Sequence, residues 1–219
     1  MNRERPILFN GAMVRAILSG QKTQTRRAVK RIPWRAGANQ NFSHAAPFQN
    51  AGEFRIAGHD ELTIGFRCPY GQPGDRLWVR ETHAIFPAYG QRRTDGERWG
   101  PWGGLPTTVS EDGKQIAYYR EGFDRCDPGR WRPSIHMPRW ACRLVLEITN
   151  VRVERLQAIS PADALAEGAM EWAGEQDTQI RDLDAGDERI AFSALWDSTG
   201  GDWDSNPWVW VIEFQGQRA

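Results

Sequence analysis

A chain of 219 residues is long enough to bury a sizeable core, and its 28 lysines and arginines are cancelled by 28 aspartates and glutamates. No long-range field therefore draws in polyanions, so non-specific nucleic-acid binding is not the default, although a local basic patch stays open. Hydrophobic residues at 40% and charged residues at 26% suit a soluble globular protein. No apolar run approaches membrane-spanning length and no charged-then-apolar signal opens the chain, so no membrane partner is expected and the cytoplasm is the simplest compartment.

Three further residue types narrow the reading. Cys68, Cys126 and Cys142 are odd in number and far apart, which fits a reduced compartment better than a disulfide framework. His44, His59, His83 and His136 are scattered without ligand spacing, so neither a metal nor another cofactor is expected. Eleven tryptophans are an excess; indoles most often thicken a core, but they also make stacking walls for planar ligands such as nucleobases.

In chain order, "FNGAMVRAILSGQ" predicts a short helix with Asn10 as N-cap, an apolar stripe of Met13, Val14, Ile17 and Leu18, and Gly20 at its C-terminal end. The run "KTQTRR" follows at once and is weakly strand-like from Lys22 to Val29. In a regular strand Lys22 and Thr25 would point to opposite faces, so they converge only if Lys22 still lies in the turn or the strand is bulged. Residues 31–72 lack periodicity and are rich in Gly, Ala, Asn and Pro, as an irregular insertion would be. "GQPGDRLWVRE" then places a Pro-Gly-Asp turn before a half-buried strand. A second insertion covers residues 86–138, with one strand at "QIAYYR".

"ACRLVLEITNVRVERL" offers two strands broken near Thr149 and Asn150, or one bent strand. "SPADALAEGA" predicts a short helix with Ser160 as N-cap, Pro161 first, Asp163 completing a capping-box-like pattern and Gly168 ending it. "DERIAFSALWDS" predicts another, with Ile190, Ala191, Ala194 and Leu195 inward. The final "NPWVWVIEF" reads as a strand buried on both faces. Strands at both ends with short helices between them imply one α+β domain over 1–219, with a small β-barrel as the compact solution.

Singly, the polar candidates have bland alternatives: Lys22 as a solvated turn residue, Thr25 as a structural threonine, and Arg26, Arg27 and Arg80 as surface ion pairs rather than an anion-binding edge. Glu167 is more pointed. It sits in the last turn of its helix, where the macrodipole disfavours an anion by roughly 0.3–1 kcal/mol, so it is either exposed or held there for a purpose.

Taken together, "ILSGQKTQTRR", "PGDRLWV", "LQAISPADALAEG" and the terminal "WVWVIEF" resemble the ASCH domain, a relative of PUA-type RNA-binding barrels. In that family a helix-ending G-x-K-T precedes a strand ending in arginine, a G-D turn opens the next strand, and a late helix is followed by a closing strand. The "IHMPRW" and "NPWVWVIEF" style is similar to that of longer ASCH proteins of bacteriophages and prophages. The resemblance implies a barrel and an activity: small bacterial members hydrolyse the acetyl amide of N(4)-acetylcytidine with a lysine, a threonine and a glutamate that match Lys22, Thr25 and Glu167. It further implies a modified pyrimidine nucleoside as ligand; a tryptophan such as Trp78 is then the candidate to stack on the base, and Arg26, Arg27 and Arg80 are the candidate substrate-binding residues. RNA or DNA binding without catalysis, or RNA cleavage, are the alternatives it carries. Minimal members lack the two insertions, so activity does not follow from the fold.

Overall fold

The computed structural model describes residues 2–31, 44–47, 52–57, 65–92, 96, 98–125 and 129–218. Cys126, His59 and most of the first expected insertion lie outside the described residues. The first half of the chain runs β1 (Glu4–Leu8), α1 (Gly11–Leu18), β2 (Gln24–Ala28), β3 (His44–Pro47), β4 (Glu53–Ala57), β5 (Phe66–Arg67), β6 (Arg76–Arg80), β7 (His83–Pro87), β8 (Gln91–Arg92) and β9 (Arg98–Trp99). The second half adds β10 (Thr107–Val109), β11 (Gln115–Tyr119), β12 (Leu144–Arg155), α2 (Pro161–Ala166), α3 (Ala169–Ala173), α4 (Glu188–Ser198) and β13 (Trp208–Arg218).

These elements make a mixed α+β architecture around a five-stranded sheet of order β1-β6-β12-β13-β2. β1 runs parallel to β6 and every other neighbour pair is antiparallel. Among the described residues no ladder joins β1 to β2, so the sheet is open and the expected closed barrel is absent. The two edge strands are five residues each, whereas the central β12–β13 pair runs twelve against eleven.

The apparent break near Thr149 is a bulge inside one continuous strand. The register of β12 on β13 slips between Ile148 and Asn150, which leaves one extra residue and bends the strand. At this bend the Pro-Gly-Asp turn docks. Gly74 N donates to Ile148 O at 2.8 Å, and Ile148 N donates to Asp75 O at 2.9 Å. The buried Asp75 carboxylate accepts from Arg3 N at 2.8 Å and Gln72 N at 3.2 Å, tying the start of the chain to β6.

The main core lies between the sheet and the helices: Met13, Val14 and Ile17 of α1, Phe192 and Leu195 of α4, and Leu77, Leu146, Trp210 and Phe214 of the sheet. On α4 the inward positions are Ala191, Phe192 and Leu195, and Ile190, expected inward, is 54% exposed. Phe192 takes its place because the 3.6-residue period puts 188, 191, 192 and 195 on one face. From Trp208 to Ile212 every residue of β13 is buried, as a strand covered on both faces requires.

Both segments expected to be insertions contribute packing. Phe54 and Phe66 of the β3-β4-β5 sheet pack edge-on against Trp210, with centroids 5.1 and 5.3 Å away. The β10-β11-β7 sheet carries a separate aromatic cluster in which Trp102 contacts Phe86, Tyr118 and Phe123, and Phe123 contacts Trp131. Much of the tryptophan excess is therefore core. Cys68 and Cys142 are free and buried, and burial pushes the Cys68 thiol up to about 11. Among the described residues no helix is long and apolar enough to cross a membrane.

Desolvation pushes the Asp75 carboxyl up, but the backbone donors at Arg3 and Gln72 and the Arg5 charge outweigh it and hold the carboxyl below its ordinary 3.8. Its contribution is therefore complete above that value and lost as pH falls through the lower folded value. Asp75→Ala is expected to lower stability in urea by about 2–3 kcal/mol at pH 7, and the gap from wild type should shrink below pH 3.8.

Candidate functional site

The site begins at the end of α1. Asn10 caps the helix, its Oδ1 accepting from Met13 N at 2.9 Å, and Gly20 at φ +79° reverses the chain. Gln21 N and Lys22 N both donate to Ala16 O at 2.9 Å, so Lys22 lies in the turn and β2 starts only at Gln24. That removes the odd-spacing obstacle, and Lys22 and Thr25 border one space. Thr23 is clamped from both sides: its N–H donates to Ala166 O at 2.9 Å, and its carbonyl accepts from Phe214 N at 2.8 Å. The turn is thereby fixed to the end of α2 and to β13.

α2 starts as its sequence dictates, with Ser160 Oγ accepting from Asp163 N at 3.0 Å and Pro161 at the first position. It ends with Glu167 as C-cap and Gly168 at φ +73°. A methyl group on Gly168 would stand 3.0 Å from Ala16 Cβ and 3.5 Å from Lys22 Cβ, so the glycine serves both the left-handed backbone and the approach of the two loops.

The carboxylate at this helix end is buried between two cations. Lys22 Nζ donates to Glu167 Oε2 at 2.9 Å and to the Glu167 carbonyl at 2.7 Å, while Arg26 Nη1 donates to Oε1 at 3.1 Å. The ammonium also caps an orphan carbonyl of α2, a favourable place for positive charge. Lys22, Arg26 and Glu167 are all below 5% exposed. Loss of hydration lowers the Lys22 pKa from its usual 10.5 more than the attraction and hydrogen bond of Glu167 raise it, and the nearby charges of Arg27 and Arg26 lower it further.

Behind this pair lies a larger ionic layer. Arg26 Nε donates to Glu154 at 3.1 Å, and Nη2 reaches both Glu154 and, at 3.1 Å, Asp163. Arg152 bridges Glu154, Asp163 and Glu213, and Gln24 Nε2 donates to Asp163 Oδ1 at 3.0 Å. Against the usual 3.8, burial pushes the Asp163 carboxyl up, but Gln24, Arg26 and Arg152 together hold it below that value.

Lys22, Thr25 and Glu167 border one cavity of about 540 Å³, within the roughly 300–1,000 Å³ of small-molecule sites. Thr25 is 4% exposed, and among the described residues its hydroxyl makes no hydrogen bond. Arg26 and Arg27 also border the cavity, with Lys30, and its apolar wall includes Phe9, Phe192 and Trp196. β2 is an edge strand, so side chains from both of its faces reach this space.

Two expected substrate contacts lie elsewhere. Trp78 and Arg80 sit on β6, separated from β2 by β12 and β13, and neither borders the cavity. Arg80 instead lies over the Trp78 ring at 5.3 Å and donates to Ile135 O. The cavity tryptophan is Trp196, four residues beyond Phe192 on the same face of α4. That i,i+4 pair in "DERIAFSALWDS" is the signal that could have found it. Phe9 was legible too, as the apolar residue just before the Asn10 cap. Among the described residues no three His, Cys, Asp or Glu side chains are grouped to hold a metal ion.

Two substitutions test this construction. Gly168→Ala is expected to lose about 1–2 kcal/mol to left-handed strain, with more from crowding against Ala16, read by thermal or urea unfolding. Arg26→Ala leaves Glu154, Asp163 and Glu167 without their common cation and should lose about 3–5 kcal/mol. Arg26→Lys should recover only part, since an ammonium cannot reproduce the fork. A neutral result for Arg26→Ala would show the ionic layer to be dispensable. Compared with known proteins, the chain matches no protein-family model, no curated protein and no solved structure.

Proposed function

We propose that the protein is an amidohydrolase that removes an N-acyl group from a modified pyrimidine nucleoside such as N(4)-acetylcytidine, giving cytidine and acetate. The observation that carries this reading is a buried lysine of lowered pKa, fixed by a glutamate, beside a threonine hydroxyl with no partner among the described residues, in a nucleoside-sized cavity. Amide hydrolysis needs a base, a nucleophile and a donor to the oxyanion, and these three side chains offer all of them.

Among the described residues Lys22 Nζ bonds to Glu167 and not to Thr25, which favours water over the threonine as nucleophile. The neutral amine takes a proton from that water as its oxygen bonds to the acyl carbon, and the Thr25 hydroxyl donates to the carbonyl oxygen that becomes negative. When the C–N bond breaks, the proton passes from Lys22 to the departing amino nitrogen, with Glu167 holding the ammonium in place. Cytidine and acetic acid leave, the acid giving its remaining proton to solvent to become acetate, and the amine is neutral again.

A binding module for RNA or DNA is the rival reading. The guanidinium of Arg26 is spent on carboxylates and Arg80 lies off the cavity, which leaves few cations for a phosphate backbone. Such binding would weaken steeply with salt, whereas hydrolysis of a neutral nucleoside would not.

The test is release of cytidine from N(4)-acetylcytidine by the purified protein. Lys22→Ala, checked for folding by circular dichroism, should lose about 100-fold or more. Because the base must be deprotonated, kcat/KM should rise with pH along a limb centred below 10.5. A folded wild-type protein without turnover, or a Lys22→Ala variant that keeps its rate, would overturn the proposal.

A further inference from the structure

Four cationic side chains border the cavity, Lys22, Arg26, Arg27 and Lys30, against the single carboxylate of Glu167. Glu167 is already held by Lys22 and Arg26, and Arg26 is further engaged by Glu154 and Asp163. Arg27 and Lys30 are left. Among the described residues neither stands within ion-pair distance of a carboxylate.

Arg27 is positioned rather than loose. Its Nη2 donates to the Leu8 carbonyl at 2.8 Å, and its guanidinium lies 5.4 Å from the centroid of Phe9. Phe9 carries Lys22 Nζ at 5.5 Å as well, so the ring relates the free cation to the base. The Nε of Arg27 is buried and, among the described residues, has no hydrogen-bond partner. A buried guanidinium donor without an acceptor carries a desolvation cost that an anionic ligand would remove.

We infer that Arg27 and Lys30 form a phosphate subsite, and that the substrate of the cavity is a pyrimidine nucleoside monophosphate rather than a free nucleoside. This rests on the amidohydrolase reading for the identity of the base, but not for the anion. A planar fork and a mobile ammonium together suit a phosphate monoester, whose oxygens offer several acceptors and nearly two charges. Phe192 and Trp196 supply the apolar wall for the base. The anion also completes the charge balance of a cavity that otherwise gathers cations around Lys22, of which Arg27 and Arg26 disfavour the protonated lysine.

The experiment is calorimetric titration of the full chain with cytidine and with cytidine 5′-monophosphate, in wild type and in Arg27→Gln and Lys30→Gln, alongside turnover of N(4)-acetylcytidine and its 5′-monophosphate. The monophosphate is expected to bind about tenfold or more tighter, roughly 1.4 kcal/mol. That ratio should collapse toward one in Arg27→Gln and fall in Lys30→Gln, and kcat/KM should show the same preference. Equal binding of the two ligands, or a preference that survives both substitutions, overturns the subsite and leaves the amidohydrolase reading standing. A monophosphate preference without any deacylation keeps the subsite and removes that reading. Orthophosphate competing as well as the monophosphate would show an anion site that takes no account of the base. A short oligocytidylate binding more tightly than the monophosphate would assign the cations to a strand. Either result overturns the mononucleotide.

Discussion

The carboxylate of Glu167, held between Lys22 and Arg26, is the constraint on which the rest of the site depends. Two stretches more than 140 residues apart meet there: the turn after α1 with the edge strand β2 that follows it, and the residue that caps the end of α2. The backbone bonds Thr23 N to Ala166 O and Lys22 N to Ala16 O bring the loops together, but they do not set the side chains. The ions do. Three cations, Lys22, Arg26 and Arg152, stand among four carboxylates, Glu154, Asp163, Glu167 and Glu213, in one linked layer. The layer is dry at the Lys22 end and wetter outward, with Glu213 37% exposed. Loss of any inner member strands a charge where water cannot reach it, so the arrangement tolerates little deviation.

Stability alone gives poor reason for such a layer, since apolar residues of similar volume often do as well or better. What the charges add is a lysine whose surroundings disfavour protonation while geometry holds it still. Desolvation is the leading cause of the lowered Lys22 pKa, and it exists because α1, α2 and the sheet close over the ammonium. Glu167 works against that shift and yet is what orients Nζ. The proposed role as a base needs the amine both available and placed, and burial and the carboxylate divide those two requirements.

The legible parts of the molecule were those governed by local chemistry. Asn10 and Ser160 cap helices, Gly20 and Gly168 take positive φ, and the Pro-Gly-Asp turn opens β6, because each depends on a few neighbouring residues. The oddness of Glu167 was likewise readable, as an anion on a helix C-terminus. Sheet closure was not: whether β1 and β2 meet depends on strand lengths and twist across the whole sheet. β1 itself, with Pro6 in its middle and only one partner strand, carries no alternation strong enough to read. The position of Trp78 away from the cavity was illegible for the same non-local reason. Nothing near Trp78 in sequence says that two strands separate it from β2, or that Arg80 and Arg139 cover its ring. The supposed break in β12 was a real local irregularity, but only its partner β13 shows that the strand continues through it.

Arg26 and Arg27 show how adjacent residues of one composition separate in role. The strand pleat turns Arg26 with Gln24 toward α2, where Nε, Nη1 and Nη2 are all taken by carboxylates. A guanidinium satisfied in this way has little left to offer a ligand, and its effect on one must pass through Glu167. Arg27, on the other side of β2, meets Phe9 and a backbone carbonyl and keeps a buried donor unspent. The difference lies in what each side of the strand faces, the acidic helix α2 on one and an aromatic ring on the other. A chain with no net charge can thus present a cationic cavity, because carboxylates are gathered behind β2 while Arg27 and Lys30, without an ion pair among the described residues, remain in front.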